Sequence, residues 1–115
     1  MNIELLKQYL IAVITRLESW SFAQFESLIN EPWSEHQGNS KDILLGKFFQ
    51  ADVEFREQVV KDGAKLLVIC VYVDNSIHHL GTTLQVDAEG RFKWDRTFEE
   101  FVNGVSGECK SVDAN

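Results

Sequence analysis

Leu66-Leu67-Val68-Ile69-Cys70-Val71-Tyr72-Val73 is an unbroken apolar run of eight residues, rich in β-branched side chains. A run of this kind reads as a strand buried on both faces, so the chain is expected to fold around a sheet with something packed on each side. Working outward, residues 53–60 alternate. Val53, Phe55, Glu57 and Val59 fall on one face, and Glu54, Arg56, Gln58 and Val60 on the other, which predicts a half-exposed strand. Lys61-Asp62-Gly63 between the two strands is a hairpin signal, because Asp-Gly tolerates the positive φ that tight hairpin turns need. Beyond the run, Asp74-Asn75-Ser76 marks a turn. Residues 77–87 then place His78, Leu80, Thr82, Leu84 and Val86 on one face of a further strand. Asp87-Ala88-Glu89-Gly90 turns again into a short strand over 91–96, with Phe92 and Trp94 on one side. Consecutive antiparallel strands on short turns make a meander.

The N-terminal third has a different period. Ile3, Leu6, Leu10, Val13, Ile14 and Leu17 recur every three or four residues, which predicts an amphipathic helix over 2–18. Ser21 and Gln24 form a capping box opening a second helix over 21–30, with Trp20 and Phe25 as its hydrophobic staple. The stretch from Glu31 to Lys41 is polar and is expected to be loop. Within it, Trp33 beside the only proline either plugs the edge of the core or stands exposed for a partner. Residues 41–51 fit either a short helix or a strand, with Gly46 weakening the helix. Thr97 and Glu100 repeat the capping-box pattern and predict a short helix over 97–104, ended by Gly104. The expected architecture is α+β: N-terminal helices packed on a curved antiparallel β-meander, then a short C-terminal helix. It forms one domain over 1–104, with a polar C-terminal tail over 105–115.

The chain has 115 residues and 44% hydrophobic content, enough for one core without disulfides or metal. No apolar run approaches the roughly 18 residues of a membrane span, and the N-terminus lacks the basic start of a signal peptide. Two cysteines without a spacing pattern point to a reducing, cytoplasmic setting. Cys70 reads as an inert core thiol, and Cys109 as an exposed one. The net charge is −7, which argues against nucleic acid as a partner and favours either simple solubility or attraction to a basic partner.

Chemistry-bearing patterns are sparse. His78 and His79 are adjacent, and strand neighbours point to opposite faces, so they do not make a metal site; no Cys-x-x-Cys or His-x-x-x-His spacing exists. No nucleophile elbow or glycine-rich phosphate loop is present. No cofactor and no catalytic set is expected. The best enzymatic reading is acid–base work by an inward Glu57/His78 pair with Tyr72 or Thr82 nearby. Against it, Glu57 on an edge strand also serves as a guard against aggregation, and His78 beside a turn is simply solvated.

The element order of helices then bent sheet over residues 2–96 resembles the nuclear-transport-factor-2-like fold, a cone of helices on a curved sheet. That resemblance implies an inward acid or acid–His pair in its enzymes, which only Glu57 and His78 match. Size, acidity and the lack of a catalytic set also resemble small bacterial immunity proteins, and imply a cytoplasmic inhibitor of a toxin domain. Three functions are therefore expected. The first is an acidic inhibitor, monomeric or weakly dimeric, that masks a basic, nuclease-like toxin without touching nucleic acid or membrane. Its contact residues would be Trp33 as anchor with Glu31, Glu35 and Asp42 around it, and Glu99 with Glu100 as a second candidate patch, although helix capping already accounts for Glu100. The second is a small-ligand binder or enzyme using Glu57, His78, Tyr72 and Thr82. The third is a subunit that self-associates through a sheet face presenting Ile77, Thr83 and Val60.

Overall fold

A computed structural model describes residues 3–37, 49–75, 78–101 and 109–112. Two short helices lie against one face of an antiparallel sheet of seven strands. Helix α1, Ile3–Leu17, buries Leu6, Leu10, Val13, Ile14 and Leu17, the stripe its period predicts. Helix α2 is only Phe22–Glu26 and continues as a 3-10 turn over Ser27–Ile29. Its capping box forms as expected: Gln24 N–H donates to Ser21 Oγ at 3.3 Å, and Ser21 N–H donates to Gln24 Oε1 at 2.8 Å. The Trp20 and Phe25 rings close the staple at 5.2 Å.

The strands are β1 Trp33–Gln37, β2 Phe49–Lys61, β3 Ala64–Asp74, β4 His79–Asp87, β5 Phe92–Lys93, β6 Phe98–Phe101 and β7 Cys109–Val112. They run in the order β1-β2-β3-β4-β6-β7, with β5 also on β4. The expected meander is thus present. The β2–β3 hairpin turns at Asp62 and Gly63 with φ of 52° and 78°, the left-handed pair that Asp-Gly supplies.

One face of the sheet is the core. Ala51 and Val53 of β2, Leu67, Ile69, Val71 and Val73 of β3, and Leu80, Leu84 and Val86 of β4 are buried there against α1 and Phe25. In β3 the alternate residues, Val68, Cys70 and Tyr72, point to the other face, which no described helix covers. Against the expectation of something packed on each side, described helices cover the run only on its core face; on the other face Val68 and Cys70 are buried but Leu66 and Tyr72 are half-buried. On the outer face its cover is the long side chains of neighbouring strands: Arg56 Nη1 lies 3.5 Å from Cys70 Sγ, and Cys70 is 5% exposed.

Four further expectations need correction. The predicted loop after Glu31 contains strand β1, because Trp33 and Glu35 turn inward and give a polar segment enough contact to pair with Val53–Phe49. The helix over 97–104 is, in its described part, strand β6. Gly81–His79 of β4 offer an open edge to Glu99–Phe101, and Phe98 fills the core with no exposed surface. Satisfying that edge outweighs a local capping signal. The tail contains β7, paired to β6 from Phe101↔Cys109 to Phe98↔Val112. Finally, β2 carries a bulge between Phe55 and Glu57, so the strict alternation over 53–60 breaks there. Of the ambiguous 41–51 stretch, Phe49–Ala51 are strand, and the rest lies outside the described residues, as does Gly104.

Candidate partner-binding surface

The acidic residues expected around Trp33 do not form one surface. Trp33 is half-buried against the core, edge-on to Trp20 at 5.9 Å. It plugs the rim between α1, α2 and β1. Glu35 also faces the helices. It accepts the Tyr9 hydroxyl at 3.1 Å, and both terminal nitrogens of Arg16, from the last turn of α1, donate to it. This two-pronged pairing clamps α1 to the edge strand. Glu31 is exposed in the bend before β1, Glu99 is exposed on the opposite face of the sheet, and Asp42 lies outside the described residues. Removing the clamp with Glu35→Ala is expected to cost about 1–2 kcal/mol, because the Tyr9 hydroxyl is left in the core rim without its acceptor. Urea unfolding measures it; a change under a few tenths of a kcal/mol would show the clamp to be inert.

The second candidate set is not brought together either. Glu57 sits opposite Val68 and is exposed, on the outer face. His78 precedes β4, beside the Asp74 end of β3. Its N–H donates to Asn75 Oδ1 at 2.8 Å, and Asn75 N–H donates to its carbonyl at 3.1 Å. Val68 and Asp74 are six residues apart on one strand, so Glu57 and His78 are separated by roughly 20 Å at ~3.3 Å per residue. Thr82 belongs to the core face, its hydroxyl donating to the Thr97 carbonyl at 3.1 Å, whereas Tyr72 belongs to the outer face. Clefts of ≈ 110, 200 and 360 Å³ do occur along the β4 edge, lined between them by Thr83, Asp95 and Lys93 among others. Glu57, Tyr72 and His78 line none of these three.

What the topology assembles instead is the outer face of the sheet. Directly opposed residues of paired strands share a face, so three rows can be read from the register. One runs Asp52, Tyr72, Gly81, Glu99 across β2, β3, β4 and β6. The next is Glu54, Cys70, Thr83, and the third is Glu57, Val68, Gln85. The bulge puts Arg56 and Glu57 on the same side, which brings Arg56 over Cys70. Glu54, Glu57, Thr83, Gln85 and Glu99 are all exposed. With Asp52, Asp74 and Asp87 this face carries six carboxylates, against Arg56, Lys61, Lys93 and the Arg91 that pairs with Asp87.

No family model, characterised protein or solved structure matches the chain. The functional reading therefore rests on these residues. The outer acids were readable in part: Asp52 and Glu54 alternate with Val53 and Phe55, so period two sets them opposite the core. Glu57 was not, because the bulge carries it across.

Among the described residues no three His, Cys, Asp or Glu side chains gather closely enough to hold a metal ion, and no helix is long and apolar enough to cross a membrane. Asp74 Oδ2 and His79 Nδ1 approach to 3.9 Å at the end of the sheet.

The chain has two tyrosines, and both are held protonated. Burial, then the Glu35 carboxylate, pushes the Tyr9 hydroxyl well above its usual value. Burial, then the Cys70 thiol and Glu54, pushes Tyr72 up to about 12. A pKa raised on folding stabilises the native state below the ordinary tyrosine value of about 10, and that contribution is lost as pH climbs toward the folded values. Absorbance of tyrosinate at 295 nm is therefore expected to show no step near pH ~10 in the folded protein and to rise only at about 12 and above, together with unfolding. A full two-tyrosine step centred near ~10 would contradict the burial of both hydroxyls.

Proposed function

We propose that this chain is a non-enzymatic cytoplasmic binding protein, an acidic immunity-type inhibitor that masks a basic, nuclease-like toxin domain. The observation that carries the reading is the outer sheet face: seven strands with described helices on one side only, and exposed Glu54, Glu57 and Glu99 on the other. An acidic face of this kind attracts a basic domain over a distance of about a Debye length, roughly 8–10 Å, and accelerates encounter at low salt. Docking there sets carboxylates where a nuclease holds phosphates, so masking needs no chemistry from the inhibitor. The contact set moves accordingly, from Trp33, Glu31 and Glu35 to Asp52, Glu54, Glu57 and Glu99. Trp33 and Glu35 support the fold.

The other readings have less behind them. An acid–base enzyme of the nuclear-transport-factor-2-like class needs Glu57 and His78 in one pocket, and the register sets them far apart. A self-associating sheet face needs Val60 and Thr83 together. Val60 is 68% exposed but lies opposite Lys65 on the helix side of the β2–β3 hairpin, Thr83 is on the outer side, and Ile77 is outside the described residues.

Affinity capture from host lysate at low and moderate salt tests the proposal. The expected result is one basic protein in stoichiometric amount, weakened as salt rises. Recovery of the chain alone at both salts would contradict it.

A further inference from the structure

The outer face is acidic, but at its β5 edge the balance of charge changes. There a cleft of ≈ 360 Å³ is lined by Leu66, Gln85, Asp87, Arg91, Phe92 and Lys93. Pockets that hold small molecules run from about 300 to 1,000 Å³. Leu66 and Phe92 are half-buried and supply an apolar floor, and the Phe92 ring is held 5.8 Å from that of Phe25. The charged groups of the lining are not equivalent. Asp87 Oδ1 accepts the backbone N–H groups of Glu89 at 3.0 Å and Arg91 at 2.9 Å, and its Oδ2 accepts Arg91 Nε at 2.8 Å. Arg91 Nη2 also donates to Glu89 Oε1 at 2.9 Å, so acid and guanidinium are both engaged within their own turn. Lys93 is different. It is exposed, stands directly opposite Gln85, and its ammonium makes no hydrogen bond or ion pair among the described residues. Gln85 and Lys93 also line a second cleft of ≈ 200 Å³. There the Asp95 carboxylate, which among the described residues accepts only the Thr97 N–H at 2.9 Å, opposes an anion.

An apolar floor beside one uncommitted ammonium suits a small molecule with an apolar body and a single negative charge. A flat ring suits the body best. It covers Leu66 and Phe92, and its π surface is favoured beside the Arg91 guanidinium and the Lys93 ammonium. We infer that the larger cleft binds a small aromatic carboxylate, its ring over Leu66 and Phe92 and its carboxylate on Lys93 Nζ and the Gln85 side-chain amide. The site uses none of Glu54, Glu57 and Glu99, so it stands whether or not those acids dock a protein. A single exposed ammonium is a weak anchor, and the dissociation constant is expected near ~1 mM.

Phenylacetate, phenylacetamide and acetate are the probes: ring with charge, ring alone and charge alone. Each is titrated into isotopically labelled protein at ~0.15 M salt, where the net charge of −7 is largely screened, and followed by amide chemical shifts. Phenylacetate is expected to shift the amides of Leu66, Gln85 and Lys93 saturably, and to bind tighter than either of the others by about threefold to tenfold. Lys93→Gln should remove the preference over phenylacetamide and leave weak binding of both rings. Leu66→Gln should remove the preference over acetate. Wild-type-like spectra of the free variants confirm that they are folded. Lys93 is exposed, so Lys93→Gln carries the test even where Leu66→Gln disturbs the sheet. Absence of a saturable shift at these amides up to ~20 mM phenylacetate would overturn the site. So would acetate binding as tightly as phenylacetate, or a preference over phenylacetamide that survives Lys93→Gln.

Discussion

Reversing Glu54 and Glu57 together to lysine is expected to weaken binding of the basic partner by about 100-fold or more and to leave folding almost unchanged. The two side chains project from adjacent rows of the outer face on either side of the Arg56 bulge. Both are exposed, and neither is tied into the core. Substitutions at such sites change stability by about 0.5 kcal/mol or less. Their effect on an interface is much larger. Coupling between close charges across an interface reaches about 1.5–7 kcal/mol, and reversal replaces attraction with repulsion. Even the lower bound for two sites gives about 3 kcal/mol, roughly 150-fold in Kd. Part of the loss should appear in the association rate and shrink as salt rises, because long-range steering is screened. Titration calorimetry with the captured partner, beside thermal unfolding of the free variant, separates the two effects. Unchanged affinity with an intact fold would move the interface off this face.

Phe25→Ala is expected to cost about 3–5 kcal/mol of folding stability. Helix α2 has only five residues and cannot hold itself in isolation. Phe25 is its buried residue, 1% exposed, with its ring 5.2 Å from Trp20 and 5.8 Å from Phe92. One side chain therefore ties the capped helix, the staple and strand β5 to the core. Its loss leaves a cavity that the capping box cannot refill, and takes a large share of the ~5–15 kcal/mol that holds a small domain together. Phe25→Leu, which keeps most of the volume, should cost clearly less. Urea denaturation followed by tryptophan fluorescence reads both. A loss under about 1 kcal/mol for the alanine variant would mean that α2 is not part of the cooperative core.

Elements whose local preference agreed with their surroundings were legible from residues alone. The apolar β3 run, the α1 stripe and the Asp62-Gly63 turn each carry one signal and meet no competitor. The comparison of the two capping boxes is instructive. Ser21/Gln24 opens a helix whose capping box is complete and whose Phe25 is buried in the core. Thr97/Glu100 has the same pattern but lies beside the open edge of β4, and Phe98 gains complete burial by entering the sheet. β1 was hidden for a different reason. Its inward Glu35 looks like a solvent residue until Tyr9 and Arg16, far earlier in the chain, are seen to receive it. Of the proposed binding face, only the sign of the charge was legible. Net charge fits either solubility or a basic partner, and the choice of face depends on the Arg56 bulge and on which side the described helices cover, neither of which has a local signature.

The most direct test of the account is inhibition at defined stoichiometry. The captured basic partner is assayed for cleavage of nucleic acid while the chain is titrated in. Activity falling to background at one equivalent, and restored when the Glu54→Lys/Glu57→Lys variant replaces the wild type, is the predicted result. Full cleavage in the presence of excess wild-type chain, or equal inhibition by the variant, would contradict masking by the acidic sheet face.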